Sequence, residues 1–125
     1  MQLDIYDQKV KKILMDSKKL IKQVGLEMSK KIYQRFSELE ASPNFKAYLD
    51  YGIGKPHPLV GNLDNLFGIS LTKNYRLIVE PITDRLDDVG LRECKKINIK
   101  GVVDYHGGKC ERIIPWFDYS SRRDN

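Results

Sequence analysis

Histidine, cysteine and tryptophan are scarce in this chain: its 125 residues hold two histidines, two cysteines and one tryptophan. Cys94 and Cys110 do not form a short ligand pair, and His57 and His106 are far apart as well. A structural zinc site takes four such ligands at close spacing, so no metal or other cofactor is expected. Also missing is any apolar run long enough to cross a bilayer, which argues against a membrane partner. The opening Met1-Gln2-Leu3-Asp4-Ile5-Tyr6 has neither a basic stretch nor a long apolar one of the kind that directs secretion. A cytoplasmic protein is the expectation, and there both thiols should be free. Cys94, set among Arg92, Glu93, Lys95 and Lys96, is expected to be exposed. Neither a repeat nor a low-complexity run is present, and the length suits one domain with a single core.

Positive charge is what the chain does carry. Lysine and arginine number 22 against 17 acidic residues, a net charge of +5. Lysines gather early, at Lys9, Lys11, Lys12, Lys18, Lys19, Lys22, Lys30 and Lys31. Such a balance favours an anionic partner, nucleic acid being the commonest. A solvated helix face accounts for the same lysines equally well.

Leu3, Ile5 and Tyr6 suggest a short first strand, and Asp7 a helix cap. Val10, Ile13 and Leu14 recur at helical spacing to about Met15. Ser17 is expected to cap a longer helix with an apolar stripe of Leu20, Val24, Met28, Ile32, Phe36 and Leu39, interrupted at Gly25. Ser42-Pro43 stops it and opens a short helix with Phe45, Tyr48 and Leu49 inward. Gly52 to Pro58 reads as an irregular loop. Leu66–Leu71 and Tyr75–Glu80 read as a hairpin, and Pro81 to Gly90 as a polar connection. Lys96–Tyr105 reads as a strand with a bulge at Gly101. Beyond Gly107-Gly108, the apolar Ile113, Ile114, Trp116 and Phe117 fit either an added strand or a segment laid on the domain or on a partner, with Ser120 to Asn125 frayed. A strand, helices and then an antiparallel meander define an α+β fold, with helices on one face of a small, mainly antiparallel sheet.

The side chains that carry chemistry cluster near that sheet. His57, Arg76, Asp104, Tyr105 and His106 together hold the imidazoles, guanidinium, carboxylate and phenol that metal-free phosphodiester cleavage uses. His106 titrates nearest neutrality and suits acid–base work. Asp104, two residues earlier, falls on its side of a regular strand and can orient it or act as base. Arg76, inside an apolar strand, needs an anion or an acceptor; a phosphate fits, and so does a structural pair with Glu80 or Asp104. His57 is stiffened by Pro56 and Pro58 and can contact a backbone or assist protonation; a plain loop histidine is the alternative. Tyr105 can stack on a base or belong to the core. Trp116 and Phe117 read as core or interface.

Three motifs, His57-Pro-Leu-Val-Gly61, Tyr75-Arg-Leu-Ile-Val-Glu-Pro81 and Val103-Asp-Tyr-His106, carry a resemblance over residues 1–107. In order and spacing the chain resembles the RelE/ParE superfamily of toxin–antitoxin toxins, in its HigB-like branch; residues 108–125 form an extension outside the match. The resemblance implies a toxin that cleaves messenger RNA, usually on the ribosome, and is silenced by an antitoxin protein. Carried over by position, it implies His106, Asp104, Arg76 and His57 as catalytic. Where the branch commonly has lysines after the histidine, this chain has Val60 and Asp64, so Lys55 and Lys73, with Tyr105, are the expected RNA contacts. Two alternatives stay open: a ParE-like inhibitor of DNA gyrase acting by binding, and an inactive module that only binds an antitoxin. The nuclease reading requires Arg76 and His106 to converge on one open concavity.

Overall fold

A computed structural model describes residues 1–59 and 65–117. The elements run β1 (Gln2–Asp4), α1 (Gln8–Leu14), α2 (Ser17–Val24), α3 (Leu26–Ala41), α4 (Phe45–Tyr51), β2 (His57–Pro58), β3 (Phe67–Ser70), β4 (Tyr75–Pro81), α5 (Asp88–Glu93), β5 (Lys96–His106) and β6 (Lys109–Ile114). One sheet has the order β1-β5-β4-β3-β2, and β6 also pairs with β5. β1 runs parallel to the start of β5 and β6 antiparallel to its end, so these two share one side of the longest strand. All other pairings are antiparallel, as the sequence pattern implies.

Alternation along the strands decides which face is covered. Phe67, Ile69, Leu77, Val79, Ile97, Ile99, Val102 and Ile114 are buried and share one side by register. The helices lie there: Phe45 of α4 meets Phe67 edge-on with ring centroids 5.0 Å apart. Val10, Leu14, Leu20, Ile32, Leu39 and Tyr48 complete this core. The lysines Lys9, Lys11, Lys12, Lys18, Lys19, Lys22 and Lys30 are exposed on the outer surfaces of the helices. No helix among the described residues is long and apolar enough to cross a membrane.

Local chemistry explains where expectation and structure part. Asp7 caps α1 by accepting from the Lys9 and Val10 amides. Asp16 rather than Ser17 caps the next helix, because its carboxylate reaches the Lys18 and Lys19 amides. The expected long helix is two, since Gly25 at φ 90° and ψ 165° turns the chain between α2 and α3. The polar connection after Pro81 contains α5, capped by Asp87, and His57–Pro58 is a short edge strand on β3 rather than loop. Edge placement suits proline, which lacks a ladder donor.

Cys94 is buried, contrary to expectation. It closes α5 and turns inward, its thiol donating to the Lys96 carbonyl at 3.3 Å. Burial pushes this thiol up from its ordinary value. Cys110 is exposed, and both thiols are free. The expected fraying of Ser120 to Asn125 and the positions Val60 and Asp64 lie outside the described residues.

Gly107 and Gly108 join β5 to β6 with φ of 54° and 76°. Two successive positive φ values define the hairpin turn whose twist matches its strands. Between Ile78 and Val79 the ladder skips Lys100, so the bulge expected at Gly101 falls beside it. Gly101 itself is packed from above: a Cβ there would collide with the Ile114 carbonyl and come within 2.7 Å of Trp116 Cε3. Gly101→Val should therefore cost about 2–3 kcal/mol through overpacking. Trp116 is the one tryptophan of the chain, so a red-shifted emission together with a lowered Tm checks this outcome; unchanged emission and Tm would contradict the packing.

Candidate functional site

The face away from the helices holds most of the chemistry. In register across it lie His57, Gly68, Ile78 and Gly101 in one row, and Ser70, Arg76, Val103 and Arg112 in the next. Tyr105 and Cys110 pair in the row beyond. Ile78 and Val103 are buried even here, with Leu59 over Gly68 and Trp116 over Gly101. His57, Cys110 and Arg112 remain exposed and Arg76 half-buried. This far face is a polar, cationic rim around a small apolar floor.

His57 owes its place to an anchored loop. The Tyr48 hydroxyl donates to the Ile53 carbonyl at 2.8 Å, and Gly54 accepts from the Ser70 amide at 2.7 Å. Arg35, buried beneath, donates from Nε to the Ser70 carbonyl at 2.9 Å and pairs with Glu38. His57 Nδ1 lies 3.1 Å from the Lys55 carbonyl. A proton on Nδ1 donates there and leaves Nε2 free to accept. The ring lies against the sheet at Gly68, where a Cβ would be in ordinary contact with Nε2 at 3.5 Å and tight only against Leu59 Cδ2 at 3.3 Å.

Burial pushes the Tyr48 phenol up to about 12. The neutral phenol is thus the form the fold favours. Its contribution is whole below pH 10 and is lost as pH rises through about 12. Tyr48→Phe should lose about 1 kcal/mol, one net hydrogen bond. In a circular dichroism titration this variant should show a smaller loss of structure between pH 10 and 12. An alkaline transition identical to the wild type would remove Tyr48 from the account.

Arg76 donates from Nη1 to the Lys73 and Tyr75 carbonyls at 2.8 and 3.0 Å. Neither acid suggested by the sequence pairs with it: Glu80 accepts from Asn98 and Asp104 engages His106. Among the described residues Arg76 has no carboxylate partner. Tyr105 is half-buried on the same face. Burial and its hydrogen bond with Cys110 push the phenol up, and the Arg76 guanidinium partly opposes this.

Asp104 and His106 are brought together elsewhere. His106 Nδ1 lies 3.1 Å from Asp104 Oδ2, and its Nε2 lies 3.7 Å from Glu111 Oε1. Asp104 pairs with Tyr75 and Glu111, while Arg76 pairs with Val103. Alternation therefore sends His106, Asp104 and Glu111 to the helix side of the sheet end and Arg76 to the far face. The convergence of Arg76 with His106 expected from the sequence is not formed. One residue of register separates them, and register depends on tertiary pairing. Arg76 instead shares its face with His57, about 10 Å across two strands and about 7 Å along them at the Cα positions. Lys55, at φ 48°, and Lys73, in the β3–β4 turn, are both exposed, and each supplies a carbonyl that fixes a site side chain.

Sequence reading missed Arg112. Its guanidinium lies 4.0 Å over the Trp116 ring, and its Nη1 donates to the Trp116 carbonyl at 3.1 Å. No periodicity in Lys109-Cys-Glu-Arg-Ile-Ile114 marks it, so no local signal could have found it. Among the described residues no group of three or more histidines, cysteines or carboxylates could hold a metal.

Helices on one face of a mixed, mostly antiparallel sheet, with a cationic second face, define a RelE/YoeB-like α+β fold. Among solved structures the chain is similar to a chain of the YoeB–YefM complex from Staphylococcus aureus. The TM-score is 0.50 and the identity 23%, over 85% of this chain and 97% of that one. No protein-family model matches the sequence, and no curated protein matches it.

Proposed function

We propose that this chain is a toxin of the toxin–antitoxin kind, of the HigB-like branch its motifs resemble, and that it cleaves messenger RNA on the ribosome. Arg76 and His106 lie on opposite faces, so the site drawn from the sequence is not formed and the reading rests on another pair: a guanidinium held by backbone carbonyls, without a carboxylate partner among the described residues, shares a face with His57, whose Nε2 accepts when Nδ1 donates to the Lys55 carbonyl. RNA brings its own nucleophile. The 2′-oxygen forms a bond to phosphorus as the bond to the 5′-oxygen breaks, giving a 2′,3′-cyclic phosphate and a 5′-hydroxyl. His57 Nε2 takes the 2′ proton, and Arg76 meets the charge growing on the phosphate. The Tyr105 phenol, protonated at neutral pH like any ordinary tyrosine, donates to a non-bridging oxygen. With one imidazole on this face, the departing oxygen takes its proton from solvent. His106, held by Asp104 and Glu111, supports the strand end. A cognate antitoxin acts by covering the cationic far face.

The separation of Arg76 from His106 favours, as a second reading, a ParE-like protein that binds DNA gyrase without cleaving RNA. Inducing the chain in a bacterial host and mapping RNA ends distinguishes the two. Cuts within translated messages, absent with Arg76→Ala, support the nuclease. Growth arrest with intact RNA and broken DNA supports the gyrase reading.

A further inference from the structure

We infer that Arg112, contributed by β6 from the extension beyond the motifs, is a second phosphate-binding residue that grips a single-stranded RNA backbone together with Arg76. This rests on the RNA reading above and deepens it. Val103 pairs with Arg76 on one side and with Arg112 on the other. The two arginines therefore flank one buried valine in the same row, about 10 Å apart at their Cα atoms.

Arg112 is preorganised for this. Trp116 sits against Gly101, on the far face, and Arg112 stacks on the indole at 4.0 Å. Its bond to the Trp116 carbonyl uses Nη1 and leaves the other edge of the guanidinium for a ligand. Stacking and one carbonyl bond fix a side chain that otherwise loses much rotamer freedom on binding.

Alternation also sorts the charges. Glu111, next to Arg112, falls with Asp104 and His106 on the helix side. Glu80, the far-face carboxylate of β4, is at the other end of that strand and is bonded to Asn98. Two guanidiniums thus stand together with no carboxylate partner among the described residues. A polyanion with phosphates in succession fits such a pair, because arginine binds phosphate through a planar fork.

The test is anisotropy of a labelled, fully 2′-O-methylated single-stranded RNA, which cannot be cleaved, measured over a range of salt. Each phosphate contact contributes about 0.7 to the slope of log affinity against log salt for a single strand. Arg112→Met keeps an apolar stem over the indole and should lower the slope by about 0.7, weakening binding several-fold at moderate salt. Arg112→Lys should restore the slope, and Trp116 emission shows whether the segment stays seated. A slope that follows charge at position 112 supports the inference. One that follows Trp116 emission instead, or that Arg112→Met leaves unchanged while Arg76→Ala lowers it, overturns the inference and leaves the RNA reading standing. Wild-type protein that fails to bind at low salt, or slopes insensitive to both arginines, overturns both.

Discussion

Arg76→Ala is expected to lower RNA cleavage by about 10²–10³-fold, the scale seen when one positioned donor to a developing oxyanion is removed. The loss should fall on the chemical step, measured as a single-turnover rate on RNA. The fold should survive: Arg76 is half-buried and its internal bonds go to the Lys73 and Tyr75 carbonyls. Those carbonyls lie at the β3–β4 turn, where water can replace the guanidinium. Arg76→Lys should recover only part of the rate, since an ammonium is a point charge without the planar fork. Unchanged cleavage by a well-folded Arg76→Ala protein would remove the far face from the chemistry.

The two histidines should behave very differently. His57→Ala is expected to cost about 10²–10³-fold in the same assay, within the range for a general acid–base group. His106→Ala should cost little in rate. It should instead lower stability modestly, because Asp104 and Glu111 lose the group between them. The opposite result, a large rate loss with His106→Ala and none with His57→Ala, would place the reaction at the sheet end and refute the far-face mechanism. Loss of activity in both, with Arg76→Ala also inactive, would require the two faces to meet around a bound strand.

Much of the fold was legible because it follows from local periodicity. The stripe from Leu20 to Leu39 has one buried side, and Asp7 caps the helix it precedes. Pairing of Tyr75 to Pro81 with the 96–106 run appears as an antiparallel ladder. The errors occurred where a short-range signal had two outcomes. Gly25 could be tolerated in a helix or could break it, and a left-handed φ of 90° shows that it breaks it. Asp16 and Ser17 are both good caps, and the longer carboxylate reached two amides. Cys94 looked exposed among charges, but a residue closing a short helix turns inward where the next strand begins.

The candidate site was legible in residue type and not in arrangement. Asp104 and His106 meet because residues two apart share a face of any strand. Whether Arg76 joins them is not a local question. It depends on which residue of β5 stands opposite, and shifting the ladder by one residue would exchange the faces. Arg112 was overlooked for the same reason: nothing near it in sequence says that a tryptophan four residues later will sit on Gly101 and carry the guanidinium.

By itself, then, the sequence determined the α+β class, the run of helices before an antiparallel meander and the inventory of groups able to handle a phosphate. Each of these depends on neighbours within a few positions, where backbone geometry and side-chain polarity act directly. Tertiary structure alone decided that His57, Arg76 and Arg112 share the face of Tyr105, and Glu111 that of Asp104 and His106. Strand alternation has a period of two, so the choice depends on long-range register, which burial of the apolar face sets for the whole sheet at once.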